Sequence, residues 1–213
     1  VITGWGRKGN AIKETYTDPN DVTQAYAIGK AYDGGQFSEL NCQAYGALYQ
    51  DVLTVPGATL NWSLAHAGRD GTDTMALLIA PVDVAQDITD ALKNKTTRAA
   101  IQEALNGSIT VNGVNVPIRN YIVDGNISDG CTAWGVHNGT YTVPAGQYVS
   151  RFFFVAVASA SGDSEEGLKR GNLIDRVWFS TDPVPPAAGS GILRVTKTLL
   201  KTDGTALTDA ELI

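Results

Sequence analysis

Histidine and cysteine are scarce: each occurs only twice in 213 residues, against 23 glycines. That limits the chemistry open to the chain. Cys42 and Cys131 lack metal-ligand spacing, so they either bridge in an oxidising compartment or stay as two buried thiols. Cys42 adjoins Gln43, and adjacent residues cannot close an internal thioester ring. Basic charge is also short. Sixteen Lys and Arg against 22 Asp and Glu leave a net charge of -6, and the pI is near 4.8. Nucleic acid and anionic membrane surfaces want the opposite balance, so neither is an expected partner. No apolar run reaches the ~20 residues that span a bilayer, and the chain begins without a signal-peptide pattern. It therefore reads as a piece of something larger. Gly-x-Ser-x-Gly, His-Glu-x-x-His and phosphate-loop motifs are missing, and no glycosidase carboxylate pair can be placed. The expectation is a protein that is not an enzyme.

What is present is a succession of short strands and turns. "GQFSELNCQA" alternates and continues into "YGALYQDVLTV" before a Pro56-Gly57 turn. "ATLNWSLAHA" sets Leu60, Trp62 and Leu64 on one face, and "TMALLIAPV" is almost continuously apolar. "GTYTV", a turn at 144–146, "YVSRFFFVAVAS" and "LIDRVWFS" follow. This pattern predicts an all-β fold, an antiparallel β-sandwich or jelly roll. "RFFFVAV" is too uniformly apolar for a half-exposed edge and belongs centrally, between covering layers.

One segment departs from the pattern. From about Val84 to Leu105 the apolar residues recur at helical spacing, with Thr96 or Thr97 as a cap and Asn106-Gly107 as the stop. This is read as a short helical insertion, about 84–106, that covers one end of the sandwich or is a loop with no role. "SITVNGVNVPI" then reads as a hairpin turning at Asn112-Gly113. Residues 1–180 form one domain in this reading. Residues 181–191, rich in Pro, Gly and Ala, form a linker, and 192–213 begin a new strand pattern too short to bury a core.

"HAGRDGTDT" concentrates His66, Arg69, Asp70 and Asp73. It reads as a strand-loop-strand connection, as a ligand- or cation-binding loop, or as a catalytic one. In the first reading Gly68 and Gly71 permit positive φ, Asp70-Gly71 turns, and Arg69 pairs with Asp73 or a nearby carboxylate. For recognition, exposed aromatics on a sandwich would stack on sugar faces: Trp5, Tyr32, Tyr45, Trp134 and Tyr141 are candidates. Trp134 leads, because "DGCTAWGVHNGTY" crowds turn residues around it and His137; its plainer reading is a cover for the sandwich end. The ligand-binding set is thus Trp134, His137, Tyr141, Tyr45 and Arg69.

The motifs Ser38-Glu39-Leu40-Asn41, Leu48-Tyr49-Gln50, Pro56-Gly57, Trp62-Ser63, His66 to Asp73, Val143 to Gln147 and Gly171 to Asp175 together resemble a jelly-roll domain of large secreted bacterial surface proteins. The resemblance covers about residues 4 to 180, apart from the insertion. Val195-Thr196-Lys197 in the tail resembles the opening strand of Gram-positive pilin and collagen-adhesin B-type repeats. There the lysine forms an isopeptide bond, and Lys197 would be that lysine. The resemblance implies an extracellular, cell-wall-anchored adhesin module with further domains in the same protein. It also implies a glycan or host-matrix ligand and no catalysis, a purely structural spacer being the alternative. Jelly-roll carbohydrate modules often hold a structural Ca²⁺; by the same resemblance Glu39, Asn41 and Asp175 would be its ligands.

Overall fold

The computed structural model describes residues 6–8, 26–41 and 44–181. Trp5, Cys42, nearly all of the linker and the tail with Lys197 lie outside the described residues. Eleven strands, two α-helices and two 3₁₀ turns follow one another: β1 (Gly6–Lys8), β2 (Ser38–Glu39), β3 (Ala47–Leu53), β4 (Thr59–Ala67), β5 (Asp73–Pro81), α1 (Val82–Leu92), α2 (Arg98–Asn106), β6 (Ser108–Val111), β7 (Val114–Pro117), a 3₁₀ turn (Ile118–Tyr121), β8 (Ile122–Asp129), β9 (Gly135–Thr142), β10 (Val149–Ala158), a second 3₁₀ turn (Gly167–Lys169) and β11 (Leu173–Ser180). A five-stranded sheet runs β1-β3-β10-β5-β8, a four-stranded sheet β2-β11-β4-β9, and β6-β7 form a separate hairpin. The paired strands are antiparallel throughout, as in β10 with β3 and with β5.

"RFFFVAV" lies where its composition demands. β10 occupies the middle of the five-stranded sheet, and Phe152, Phe153 and Phe154 are all buried. Phe152 and Phe154 face the second sheet beside Trp62, Leu64 and Phe179. Arg151, Phe153 and Val155 point the other way, since successive side chains alternate across a strand. That outer face is covered by the helices, which contribute Ile88, Leu92, Ile101 and Leu105 to the same core. The insertion therefore covers a sheet face rather than an end of the sandwich. A strand buried on both faces needs no polar alternation, which accounts for the continuous apolar runs of β5 and β10. Each Phe so buried contributes roughly 1.5–3 kcal/mol.

Arg151 couples helix to sheet. Its guanidinium donates Nε to Asp51 Oδ1 at 2.6 Å and Nη2 to Asp51 Oδ2 at 2.9 Å. Nη1 reaches Thr89 Oγ1 of α1 at 3.1 Å, and the group lies 4.2 Å over the Tyr49 ring. Two local signals act as their chemistry requires. The Ala100 N–H donates to the Thr97 hydroxyl at 3.3 Å, capping α2. Asn112 and Gly113 take φ of 51° and 78°, which a two-residue hairpin turn of this twist needs.

Three stretches differ from the sequence expectation. Among the described residues of "GQFSELNCQA", only Ser38–Glu39 is strand; beyond it, Leu40 and Asn41 donate to the carbonyls of Asn172 and Gly171. β9 begins at Gly135, so His137 sits on a strand, not in a turn. β8 was not anticipated, because Gly125 and Asn126 interrupt its apolar pattern. Thr97→Ala should lower stability by about 1 kcal/mol, whereas Thr96→Ala should change it by less than about 0.5 kcal/mol. Urea unfolding of the two variants separates the caps.

Candidate functional site

β4 carries Leu60, Trp62, Leu64 and His66 on the face turned into the sandwich. Its register with β9 pairs Leu60 with Tyr141, Trp62 with Gly139 and Leu64 with His137, so these β9 residues share that inner face. Gly139 is required there: a Cβ would lie 2.8 Å from Trp62 Cζ2. Among the described residues, β8 and β9 each end their sheet on the same side, and the edge between them carries distinct chemistry at its two ends.

At one end, both histidines of the chain meet one carboxylate. Asp129 Oδ2, at the end of β8, lies 2.8 Å from His66 Nδ1 and 2.7 Å from His137 Nε2. His66 is wholly buried; the His137 and Asp129 side chains are 25% and 17% exposed. Burial alone would raise the Asp129 carboxyl, but its contacts with His66 and His137 outweigh it and hold it below the ordinary aspartate range. Gly135 makes the room, since a Cβ there would collide with the Asp129 carboxylate. The far side of His66 is fixed by Asn172. Its Nδ2 donates to the Ala158 carbonyl at 3.0 Å and to Asn41 Oδ1 at 2.9 Å. Asn172 Oδ1 is thereby left facing His66 Nε2 at 3.1 Å, so Nε2 carries the proton.

The "HAGRDGTD" loop builds the rest of this buried network. Asp73 Oδ2 accepts the backbone N–H groups of Arg69 and Asn172, each at 2.9 Å. Asp73 Oδ1 accepts that of Ala160 at 2.8 Å. Arg69 places Nη1 at 2.8 and 2.7 Å from the two oxygens of Glu39, and its guanidinium lies 4.5 Å over the Tyr26 ring. Gly68 and Gly71 serve differently from expected: neither is among the positive-φ residues. They are needed for space, because a Cβ at Gly68 would collide with the Gly71 carbonyl oxygen and one at Gly71 would lie 2.6 Å from Ala160 Cβ.

The expected calcium ligands fall into two places. Glu39 and Asn41 belong to this network: Glu39 faces the Arg69 cation and the Gly171 N–H, and Asn41 Oδ1 accepts from Asn172. Asp175 stands apart, accepting backbone N–H groups from Tyr32, Asp33 and Arg176; burial nonetheless pushes its carboxyl up.

The five expected ligand residues are not brought together. Tyr45, expected as an exposed aromatic on the sandwich, is fully buried; it fills the core and offers no surface for stacking. Arg69 serves Glu39, and His137 serves Asp129. Trp134 closes the sandwich end: its indole N–H donates to the Lys30 carbonyl at 2.9 Å, and its ring meets Phe37 at 5.7 Å. Tyr141 alone reaches the other end of the edge. There an open cleft of about 390 Å³ lies between the start of β8 and the end of β9, with Tyr121 and Tyr141 among its walls. Asn120, Thr140, Thr142 and Gln147 add polar groups, and Ile79 and Pro144 apolar ones. Tyr141 donates its hydroxyl to Gln147 Oε1 at 3.1 Å. Burial pushes both phenols above the ordinary tyrosine range, so both remain neutral donors. Sequence reasoning missed Tyr121, Asp129 and Asn172 as site residues. Only Asn172 carried a signal, its place within the Gly171–Asp175 motif.

Arg69→Met removes the cation from a buried carboxylate and should cost about 3–5 kcal/mol, while the Glu39→Met/Arg69→Met pair should recover much of that loss. Equilibrium unfolding of the single and double variants is the measurement; equal losses would show that the pair does not act as a unit.

No family model and no curated protein matches the chain. Among solved structures it is similar to the CBM22-1 xylan-binding domain from Paenibacillus barcinonensis Xyn10C, with 12% identity, 84% of this chain and 86% of that chain covered, and a TM-score of 0.45. It is also similar to a family 35 carbohydrate binding module from Clostridium thermocellum (12% identity, 80% and 96% covered, TM-score 0.36). A third is the enzymatically active domain of Bacteriophage CBA120 tailspike protein 4 (11% identity, 84% and 19% covered, TM-score 0.34).

Proposed function

We propose that this domain is a non-catalytic glycan-binding module, borne as an adhesin unit on the surface of a bacterial cell. The observation that carries the reading is the edge cleft. Its volume of about 390 Å³ is within the range of small-molecule sites, and its make-up is typical of them: apolar and aromatic walls with a few convergent polar groups. Tyr121 and Tyr141 present ring surface and a neutral hydroxyl together, which suits a sugar's apolar face and its rim of hydroxyls. Asn120, Thr140 and Thr142 supply donors and acceptors without net charge, as a neutral glycan requires, and the buried Gln147 amide fixes the Tyr141 hydroxyl. None of the residues lining the cleft is a carboxylate, so the paired acid and base of a glycosidase are missing from it. The placement outside the cell and the adhesin role rest on the sequence motifs that resemble secreted surface domains.

Glycan-array binding followed by titration calorimetry tests this. Tyr141→Ala and Tyr121→Ala should each weaken binding at least about tenfold, and Trp134→Ala, at the opposite end, should leave it unchanged. Loss confined to Trp134→Ala would move the site; no binding across broad glycan and matrix-protein panels would favour a spacer module.

A further inference from the structure

We propose that His66, Asp129 and His137 form a binding site for one zinc-class divalent cation, which ties the two sheets together at their open edge. The site is separate from the cleft and does not rest on the glycan reading. The chain has two histidines, and β4 and β9 direct both at a single oxygen contributed by β8. The three ligand atoms lie within 4.8 Å of one another. A tetrahedral zinc with ligands at about 2.0–2.1 Å sets neighbouring ligand atoms about 3.3 Å apart. Each His–Asp contact, now 2.8 and 2.7 Å, therefore opens by only about half an ångström.

The surroundings are those of a ligating imidazole. A metal-bound histidine normally donates its other ring N–H to an oxygen that fixes tautomer and ring orientation. Asn172 Oδ1 does this for His66 Nε2, and Asn172 is itself wholly buried and held at Ala158 and Asn41. The proton is thereby kept on Nε2, and Nδ1 is the nitrogen turned toward Asp129. The partial exposure of His137 and Asp129 gives the ion a way in and leaves a fourth position for water. Two imidazoles with one carboxylate select zinc, cobalt, nickel or copper over calcium and magnesium, which prefer all-oxygen shells.

The test uses the whole chain without a histidine tag, stripped with chelator. Zinc is titrated while long-range ¹H–¹⁵N spectra of the imidazoles are recorded, a spectrum that holds just two rings. One equivalent should shift His66 Nδ1 and His137 Nε2 together and leave the His66 Nε2 proton in place. A hundredfold excess over Kd should raise Tm by roughly 5–10 °C. Calcium should move neither ring. His137→Ala, which alters the more exposed ligand, should weaken zinc binding at least about 100-fold. If that variant fails to fold, cobalt bound to the unaltered chain should give the intense visible absorption of a tetrahedral site. The proposal is overturned if 1 mM zinc leaves both rings unshifted, if His137 alone responds, if calcium shifts the rings, if a folded His137→Ala keeps its affinity, or if cobalt yields only an octahedral spectrum.

Discussion

The carboxylate of Asp73, wholly buried, accepts backbone N–H groups from residues 69, 160 and 172. Those residues come from the loop after β4, the turn after β10 and the entry to β11. A buried carboxylate is tolerable only when its lone pairs are engaged, so folding that satisfies Asp73 also fixes how these three connections approach. The remaining network depends on that. Asn172 holds φ of 53°, a left-handed conformation that asparagine tolerates better than most residues. In that conformation its side chain turns toward His66 while its N–H meets Asp73. Glu39 and Arg69 close the opposite side, and the Gly171 N–H joins Glu39 to the same turn.

This buried polar end and the open cleft occupy the two ends of one sheet edge, and β9 runs between them. Its inner face reads Gly135, His137, Gly139, Tyr141, with each glycine yielding space to a neighbour: Gly135 to the Asp129 carboxylate and Gly139 to the Trp62 indole. Period-two alternation thus divides one strand between two chemistries. The His end is mostly buried, polar and rigidly supported, with His137 and Asp129 partly exposed. The Tyr end is open, neutral and lined by residues from the strand termini and the 3₁₀ turn, where side chains project past the sheet and can meet a ligand.

The layering follows from composition in a similar way. The five-stranded sheet is covered on one face by the second sheet and on the other by α1 and α2, which is why β5 and β10 carry unbroken apolar runs. β9, at an edge of the thinner sheet, alternates half-buried and exposed residues and carries the polar residues that the candidate sites use. Helices packed over the broad sheet leave that edge accessible.

Local pattern was enough for much of this. The alternation of "ATLNWSLAHA", the two-sided burial of "RFFFVAV", the Thr97 cap and the Asn112-Gly113 turn are properties of short segments, and short segments determine them. The sandwich class follows, because runs of that length and period pack stably in few other ways. What tertiary structure alone decided is which distant residues meet. Nothing near His66 in sequence marks Asp129 or His137 as its partners, 63 and 71 positions away. Nothing about Tyr45 distinguishes a core tyrosine from an exposed one, and Gly68 is a glycine for lack of space rather than for its φ. Periodicity states which way a side chain points; only the register of β4 with β9 and the approach of β8 state what it points at.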